Sequence, residues 1–203
     1  MSRKTLLATS LGVLLAVTLA GCADPESTTT PTGSEAVSSA ATGSEVSEAH
    51  NDADTAFAQM MIVHHEGAIE MADLAIEKAE NPDVVALAER IAEAQGPEIE
   101  TMTSWLQQWG EAVEPMDHGG HDMGGMDMDG MSQEEMMTYL GGLSGAEFDT
   151  AFLEGMIAHH EGAVEMAEAE LADGENPEAL SLAQQIIADQ QTEITEMNEM
   201  LAN

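Results

Sequence analysis

The sequence predicts an all-α protein, an antiparallel four-helix bundle made of two duplicated helical hairpins. Residues 54–108 align with residues 149–203 at a constant offset of 95 without a gap, and 25 of the 55 aligned pairs are identical. Apolar residues recur at helical spacing over long segments of each copy. Each copy also contains an Asn-Pro dipeptide, which ends one helix and starts the next. Two hairpins that each leave an apolar face uncovered are expected to pack against one another.

The first 22 residues predict a lipoprotein signal peptide. Arg3 and Lys4 precede an apolar stretch over residues 5–18 that is too short for a comfortable membrane span. The stretch ends in Leu19-Ala-Gly-Cys22, which resembles a bacterial lipobox. In that resemblance Cys22 carries the lipid and becomes the mature N-terminus. The protein is therefore expected in the cell envelope, lipid-anchored on the outer side of the cytoplasmic membrane or on the periplasmic face.

A flexible tether is expected between the lipid and the bundle. Residues 23–51 are rich in Ser, Thr, Ala, Gly and Glu and have no periodicity. The bundle domain then covers residues 52–203.

The first repeat, residues 54–110, predicts two helices. The first is expected over about 54–80, in a segment of strong helix formers. Asn81-Pro82 supplies a cap and a first helical residue for the second helix, which is expected to reach about residue 109. A bend is expected at Gly96-Pro97, because proline removes a backbone donor.

Residues 111–145 are expected to form a Met/His-rich loop followed by a short helix. Ser132-x-x-Glu135 is a capping-box pattern that predicts the start of this helix. The second repeat, residues 146–203, is preceded by Ser144-x-x-Glu147, another capping-box pattern, which predicts the start of a long helix. Asn176-Pro177 then predicts the start of the last helix.

The acidic composition excludes several classes of function. The chain has 39 Asp and Glu against 4 Lys and Arg, a formal net charge of -35, and cleavage before Cys22 would leave 2 − 39 = -37. Nucleic-acid binding is not expected, because phosphate contacts need a basic surface. The single cysteine excludes an intrachain disulfide and a cysteine-cluster metal site. Methionine is the unusual residue, with 16 against 6 aromatic side chains.

Histidine and methionine share one helix face in each repeat. The face carries two adjacent histidines with methionines at helical spacing. Its members are Met61, His64, His65 and Met71 in the first copy, and Met156, His159, His160 and Met166 in the second. Imidazole suits copper, zinc, iron and nickel, whereas thioether selects Cu(I), so the mixture indicates copper. The alternative is that methionine and phenylalanine form the core, with satisfied histidines at its edge.

A second methionine-rich cluster lies between the repeats. It consists of Met116, His118, His121, Met123, Met126, Met128 and Met131, with acidic residues and glycines between them. A glycine-rich tract has no helix face to bury, so these residues predict a metal-capturing segment. A low-complexity linker is the alternative.

A third pattern is repeated near the end of each copy. Glutamine, glutamate and methionine follow one another at i, i+3 and i+7, which places them on one helix face. The residues are Gln95, Glu98 and Met102, and in the second copy Gln190, Glu193 and Met197. If the hairpins close as predicted, Met102 and Met197 can meet the histidine helices. Ordinary bundle packing around a buried polar pair is the alternative.

Two enzymatic interpretations have less support. Di-iron carboxylate sites use Glu-x-x-His on helices, and the chain contains no such spacing. Acid–base catalysis by Glu66 or Glu161 is not expected either, because helical geometry turns both away from the histidine face.

The repeated F-x-x-x-M-I-x-H-H-x-G-A-x-x-M-A block resembles the family called domain of unknown function 305. The resemblance covers roughly residues 50–203. It implies a ferritin-like four-helix bundle in a secreted or periplasmic bacterial protein, with copper association in some members. It marks the two His/Met sets above, and Met102 and Met197 match the family's Q-x-x-E-I-x-x-M pattern. Met60 in the first copy stands where the second has Gly155, so the two sites are expected to differ in affinity.

Together these features predict an extracytoplasmic, non-enzymatic copper-binding protein. It would buffer, sequester or hand on Cu(I), with Cu(II) as a further ligand, and contribute to copper homeostasis or resistance. Expected partners are copper ions, the membrane through Cys22, and a copper exporter or multicopper oxidase. The alternatives are a ferritin-like metal oxidase and an envelope interaction module without a metal.

Overall fold

The computed structural model describes residues 47–115 and 130–203. Over these residues the elements are five helices: α1 (Asp52–Lys78), α2 (Pro82–Trp109), α3 (Gln133–Gly142), α4 (Gly145–Asp173) and α5 (Pro177–Leu201). α1 packs along α2, α4 packs along α5, and α1 and α4 pack against each other, while α3 contacts α1 and α4. The predicted all-α bundle of two hairpins is confirmed. No helix in the described ranges is long and apolar enough to span a membrane.

Most of the predicted helix starts are confirmed. The side chain of Asn81 accepts a hydrogen bond from the first turn of α2, and Asn176 does the same for α5. Ser132 and Glu135 form the predicted capping box of α3. Each cap uses residues that are close in sequence, so its donors and acceptors can be recognised without the tertiary structure. α2 continues as one helix through Pro97.

The capping box predicted at the start of α4 is wrong. Ser144 is the residue before the helix, but its side chain makes no capping hydrogen bond. The next residue, Gly145, has φ +62°, in the left-handed region. A capping box needs helical dihedrals directly after the cap. The positive φ of Gly145 therefore removes the geometry that the Ser144 hydroxyl would use.

The two repeats exchange turn contacts through a pair of equivalent aspartates. Asp54 in α1 accepts hydrogen bonds from the backbone N–H groups of Glu175 and Asn176, in the turn between α4 and α5. Asp149 in α4 accepts from the N–H groups of Glu80 and Asn81, in the turn between α1 and α2. The backbone N–H groups of each hairpin turn thus find their acceptor in the other hairpin. These hydrogen bonds fix how the two repeats dock.

The hydrophobic core has two halves that correspond under the 95-residue offset. Phe152 and Ile91 lie in the first half, and their repeat equivalents Phe57 and Ile186 lie in the second. All four are almost fully buried, and each contributes roughly 1.5–3 kcal/mol by removal from water. The pseudo-twofold arrangement places the middle of α1 against the middle of α4.

The last residues of the predicted tether contact the bundle. The Asn176 side chain donates to the carbonyls of Ser47 and Ala49, and Trp109 Nε1 also donates to the Ser47 carbonyl. His50 stacks on Trp109 with ring centroids 4.5 Å apart. The signal peptide over residues 1–22 with Cys22, and the tether over residues 23–46, lie outside the described residues.

Candidate metal centre

The four histidines of the repeated motif meet where the middles of α1 and α4 pack together. The rings of His64 and His159 lie with centroids 3.7 Å apart, tilted by 45°. His65 and His160 have no solvent exposure, and His64 and His159 are 2% and 4% exposed. Two histidines that occupy equivalent positions in the two repeats are thus in direct contact.

A carboxylate holds the second histidine of each pair. His65 Nε2 lies 2.8 Å from Glu98 Oε2, and His160 Nε2 lies 2.7 Å from Glu193 Oε2. An ionised carboxylate only accepts hydrogen bonds, so we assign the proton to Nε2 in both rings. Nδ1 of a neutral His65 or His160 then carries the lone pair. A carboxylate behind the distal nitrogen is the usual way of orienting a metal-binding imidazole.

Several imidazole nitrogens are buried without a hydrogen-bond partner in the described part of the chain. They are Nδ1 of His65, His159 and His160. Burial, followed by repulsion from the imidazoles of His64, His160 and His65, holds the pKa of His159 well below its usual range. The ring is therefore neutral at physiological pH, the form that binds metals. The burial of all four rings differs from the interpretation that places the histidines at the edge of the core.

The six methionines that match between the repeats lie in the core. Met61, Met71, Met102, Met156 and Met197 have no exposure, and Met166 is partly buried. Each core half contains three of them: Met71, Met156 and Met197 in the first, and Met61, Met102 and Met166 in the second. Every half therefore combines two thioethers from one repeat with one from the other. Burial in the core is also what the packing interpretation predicts for methionine.

A cavity of about 230 Å³ reaches the histidine pair from the surface. His64 and His159 lie in its wall, together with Val63, Glu66, Gly67, Glu70 and Gln133. The carboxylate-bearing residues Glu66 and Glu70 are exposed. The histidine contact is thus reachable by a small ion without unfolding of the bundle.

Six residues of the Met/His cluster between the repeats, Met116, His118, His121, Met123, Met126 and Met128, lie outside the described residues. Met131, the last member of this cluster, is partly buried and packs against the first core half. This contact differs from the expectation that the segment has no core to join. It arises because the chain enters α3 at the next residues, and α3 docks on α1 and α4.

The difference between Met60 and Gly155 has a structural reason. A side chain at Gly155 would start 3.1 Å from Met136 Sδ and 3.4 Å from Met71 Cε. Gly155 therefore leaves room for Met136, which anchors α3 on α4. In the first repeat Met60 occupies the equivalent position. A methionine side chain at position 155 would take the space that Met136 fills, so α4 accepts Met136 only because it has glycine there.

The donors present fit a soft metal ion better than a hard one. No group of three or more His, Cys, Asp or Glu side chains that could hold a metal ion occurs among residues 47–115 and 130–203. The side chains that the two repeats bury here include imidazoles and thioethers. Imidazole together with thioether suits copper, and Cu(I) in particular, whereas carboxylate-rich sites suit harder ions.

Two features of the centre were not predicted from the sequence. Glu98 and Glu193 were recognised as part of a repeated face, but their pairing with His65 and His160 was not. The signal was present, because each glutamate follows its histidine by 33 residues in both copies. Gln133 in the cavity wall had no comparable signal, since it belongs to α3 and has no counterpart in a repeat.

The fold and this centre define a duplicated four-helix bundle that encloses two histidine pairs and a set of thioethers. The chain belongs to the family described as domain of unknown function (DUF305), whose model matches residues 54–201. None of the curated proteins matches the sequence.

Solved structures of this family are similar to the chain. A DUF305 protein from Streptomyces coelicolor, described as secreted, is 32% identical over 74% of this chain and 91% of its own, with a TM-score of 0.66. A DUF305 fragment from Deinococcus radiodurans is 30% identical over 75% and 97%, with a TM-score of 0.65. CopM in its Cu(I)-bound form is 34% identical over 74% and 96%, with a TM-score of 0.61. CopM structures with Cu(II) and with silver are also similar.

Proposed function

We propose that the protein is an extracytoplasmic copper-binding protein that buffers, sequesters or hands on copper through histidine and methionine ligands. The observation that carries this proposal is the contact of His64 with His159 beside His65 and His160. Nδ1 of His65, His159 and His160 is buried there without a hydrogen-bond partner in the described part of the chain. A buried polar atom that lacks a partner destabilises the fold. Ligation of a metal would give these nitrogens their partner.

Each core half supplies the thioethers for one set of ligands. His65, Met61, Met102 and Met166 would serve the second half of the core. His160, Met156, Met197 and Met71 would serve the first. His64 and His159 lie where the two sets meet. This division follows the pseudo-twofold arrangement, and each repeat contributes the same number of ligands. Each set takes two methionines from one repeat and one methionine from the other.

Copper is favoured over other metals by the ligand chemistry and by a relative. Cu(I) accepts imidazole and thioether together, and the six repeat methionines offer a surplus of soft donors. CopM, which is similar over most of this bundle, has been crystallised with Cu(I), Cu(II) and silver. Silver(I) is also a soft ion, so these relatives agree with a soft ligand set.

The segments outside the described residues are assigned supporting roles. The methionines and histidines between residues 116 and 131 would collect copper ions or pass them on, in exchange with the bundle site. Cys22 would carry the lipid that holds the protein at the membrane. A copper exporter or a multicopper oxidase would be the protein that receives the metal. No catalytic step is proposed.

Competition for Cu(I) against a chromogenic chelator tests the proposal. We expect the purified protein to withdraw Cu(I), and replacement of His64, His65, His159 and His160 by alanine to weaken its affinity by more than about a hundredfold. His50→Ala is the matched control, because His50 stacks on Trp109 and belongs to neither histidine pair. Circular dichroism checks that the fourfold variant is helical. Unchanged affinity in a folded fourfold variant would reject these sites, and oxygen consumption with turnover would indicate an oxidase instead.

A further inference from the structure

The cavity above the histidine pair has an acidic mouth. Glu66 and Glu70 are exposed residues of its wall, while His64 and His159 are buried residues of the same wall. Glu70 also lines a neighbouring groove between α1 and α3, where Asp73, Glu77 and Glu134 add further carboxylates. Negative charge along a narrow approach concentrates cations and accelerates their binding. The carboxylates thus form a continuous approach from the surface to the imidazoles.

Gln133 lies across this approach. Its Nε2 donates to the Gly67 carbonyl at 3.0 Å and to Glu70 Oε2 at 3.3 Å. A methyl group at Gly67 would meet the Gln133 side chain at 3.0 Å, so the absence of a side chain at Gly67 lets the amide lie against α1. One amide group thereby links two residues of the cavity wall and occupies the space between them.

Gln133 is held in place by the docking of α3. Met136 packs over Gly155 of α4, and Lys78 of α1 donates to the carbonyls of Leu140 and Gly141. Both ends of this short helix are therefore attached to the helices that carry the histidines. The amide can swing by rotation of its own side chain while the backbone of α3 stays docked.

We propose that this cavity is the access route by which a soft monovalent cation reaches the histidine pair, and that Gln133 is its gate. The inference rests on the proposed function, since the ion must bind at His64 and His159 for the route to matter. Glu66 and Glu70 receive the ion at the mouth. Rotation of the Gln133 amide away from Gly67 and Glu70 then widens the path to the imidazoles.

The duplication provides matched controls for the carboxylates. Glu161 and Glu165 are the repeat equivalents of Glu66 and Glu70, and both are exposed, but they do not belong to the wall of this cavity. If charge anywhere on the bundle were enough, the two pairs of glutamates would act alike. If the cavity is the route, only the first pair affects the rate of access.

Rates of Cu(I) transfer from the loaded full-length protein to excess chromogenic chelator test the gate. The dissociation constant is measured separately by competition, and the association rate follows from the two. We expect Gln133→Ala to raise both rates at least about fivefold, because two hydrogen bonds no longer oppose opening. The dissociation constant then changes little. Tyr139→Phe, an exposed change on the same helix that lies outside both cavity walls, is expected to leave both rates at the parent values.

The carboxylates are tested at low and high salt. We expect the double variant Glu66→Gln/Glu70→Gln to lose roughly threefold to tenfold in association rate at low salt, and to lose most of its salt dependence. Glu161→Gln/Glu165→Gln should retain the parent's rate and salt dependence.

The outcomes separate this inference from the proposed function. Tight Cu(I) binding by the parent with unchanged rates in Gln133→Ala would overturn the gate while leaving the copper site intact. Equal effects of the two glutamate pairs would overturn the route. Failure of the parent to bind Cu(I) would overturn the proposed function itself.

Discussion

The carboxylate of Asp54 in α1 accepts a hydrogen bond at 2.9 Å from the backbone N–H of Asn176, which lies 122 residues later at the start of α5. Asp54 also accepts from the N–H groups of Asn51 and Glu175. Asp149 makes the equivalent contacts to Glu80 and Asn81. These two aspartates join the hairpins at both ends of the bundle and keep the histidines of different repeats in register.

Removal of either aspartate should destabilise the bundle. Asp54→Ala leaves three backbone donors without their acceptor, two of them in the other hairpin, and should lower the free energy of unfolding by about 2–4 kcal/mol. Asp149→Ala should cost less, because Asp149 satisfies two donors and is slightly more exposed. Urea unfolding measures both. Asp73→Ala, at an exposed position of α1, is the control. An equal effect of all three changes would show that the hydrogen bonds from each aspartate to the turn of the other hairpin do not stabilise the bundle.

Glu170 should make the protein less stable as the pH rises. Burial, followed by the proximity of the Asp54 carboxylate, raises the pKa of Glu170 to about 8 from its usual value near 4.5. Its stabilising contribution is thus complete below pH 4.5 and is lost as the pH rises through 8. At pH 7 the folded state keeps a proton that the unfolded chain has released, which costs on the order of 3 kcal/mol.

Glu170→Gln isolates this effect, because the amide has nearly the shape of the carboxyl group and is neutral at every pH. Urea unfolding at pH 5, 6.5 and 8 should show the variant gaining stability over the parent as the pH increases. Glu168→Gln, at a neighbouring exposed position, should follow the parent. If the parent instead gains stability relative to Glu170→Gln between pH 5 and 8, the carboxyl group of Glu170 is not protonated in the folded protein.

Glu98 and Glu193 should act as positioning residues for copper. Glu98→Gln or Glu193→Gln removes the charged acceptor behind His65 or His160, and each should weaken Cu(I) affinity by about 10–100-fold. The ¹⁵N chemical shifts of the imidazole should also report a changed tautomer population for the affected ring. Glu100→Gln is the control on the same helix. Lost affinity with unchanged ¹⁵N shifts would mean that the glutamates act on the fold rather than on the histidines.

Lys78 and Arg90 are the basic residues that follow Cys22, and they should contribute unequally. Lys78 donates to the last carbonyls of α3 at 3.1 and 2.7 Å and lies 5.2 Å from the centre of the Phe148 ring. Arg90 pairs with Glu196 across α2 and α5, with both side chains well exposed. Lys78→Met should cost about 1–2 kcal/mol and speed amide exchange in α3, whereas Arg90→Met should cost less than about 1 kcal/mol. Equal exchange in both variants would reject the anchoring of α3.

Local sequence was enough to predict the helices and most of their starts. Asn81-Pro82, Asn176-Pro177 and Ser132-x-x-Glu135 place donor, acceptor and proline within one turn, so no distant contact is needed to recognise them. The pattern at Ser144 also places the start of α4 correctly, but its capping hydrogen bond does not form, because Gly145 has a positive φ. The duplication then made the pairing of hairpins predictable.

Contacts between distant residues account for what the sequence left open. The i, i+3, i+7 spacing placed Glu98 on one face of α2, but the spacing alone could not show that His65 lies opposite. Glu170 stands where the first repeat has Ala75, so the symmetry of the sequence offered no partner for it. Gln133 reaches the histidine cavity only because α3 folds back over α1, a position set by Met136 and Lys78 rather than by a repeated motif.

X-ray absorption of the Cu(I)-loaded protein tests the central claim most directly. Imidazole nitrogen and thioether sulfur scatter differently, so the spectrum reports which donors surround the metal. We predict mixed nitrogen and sulfur ligation in the parent, with the nitrogen contribution lost when His64, His65, His159 and His160 are replaced by alanine. A parent spectrum without nitrogen ligands, or one that is unchanged in the fourfold variant, would contradict a copper centre at the histidine pairs.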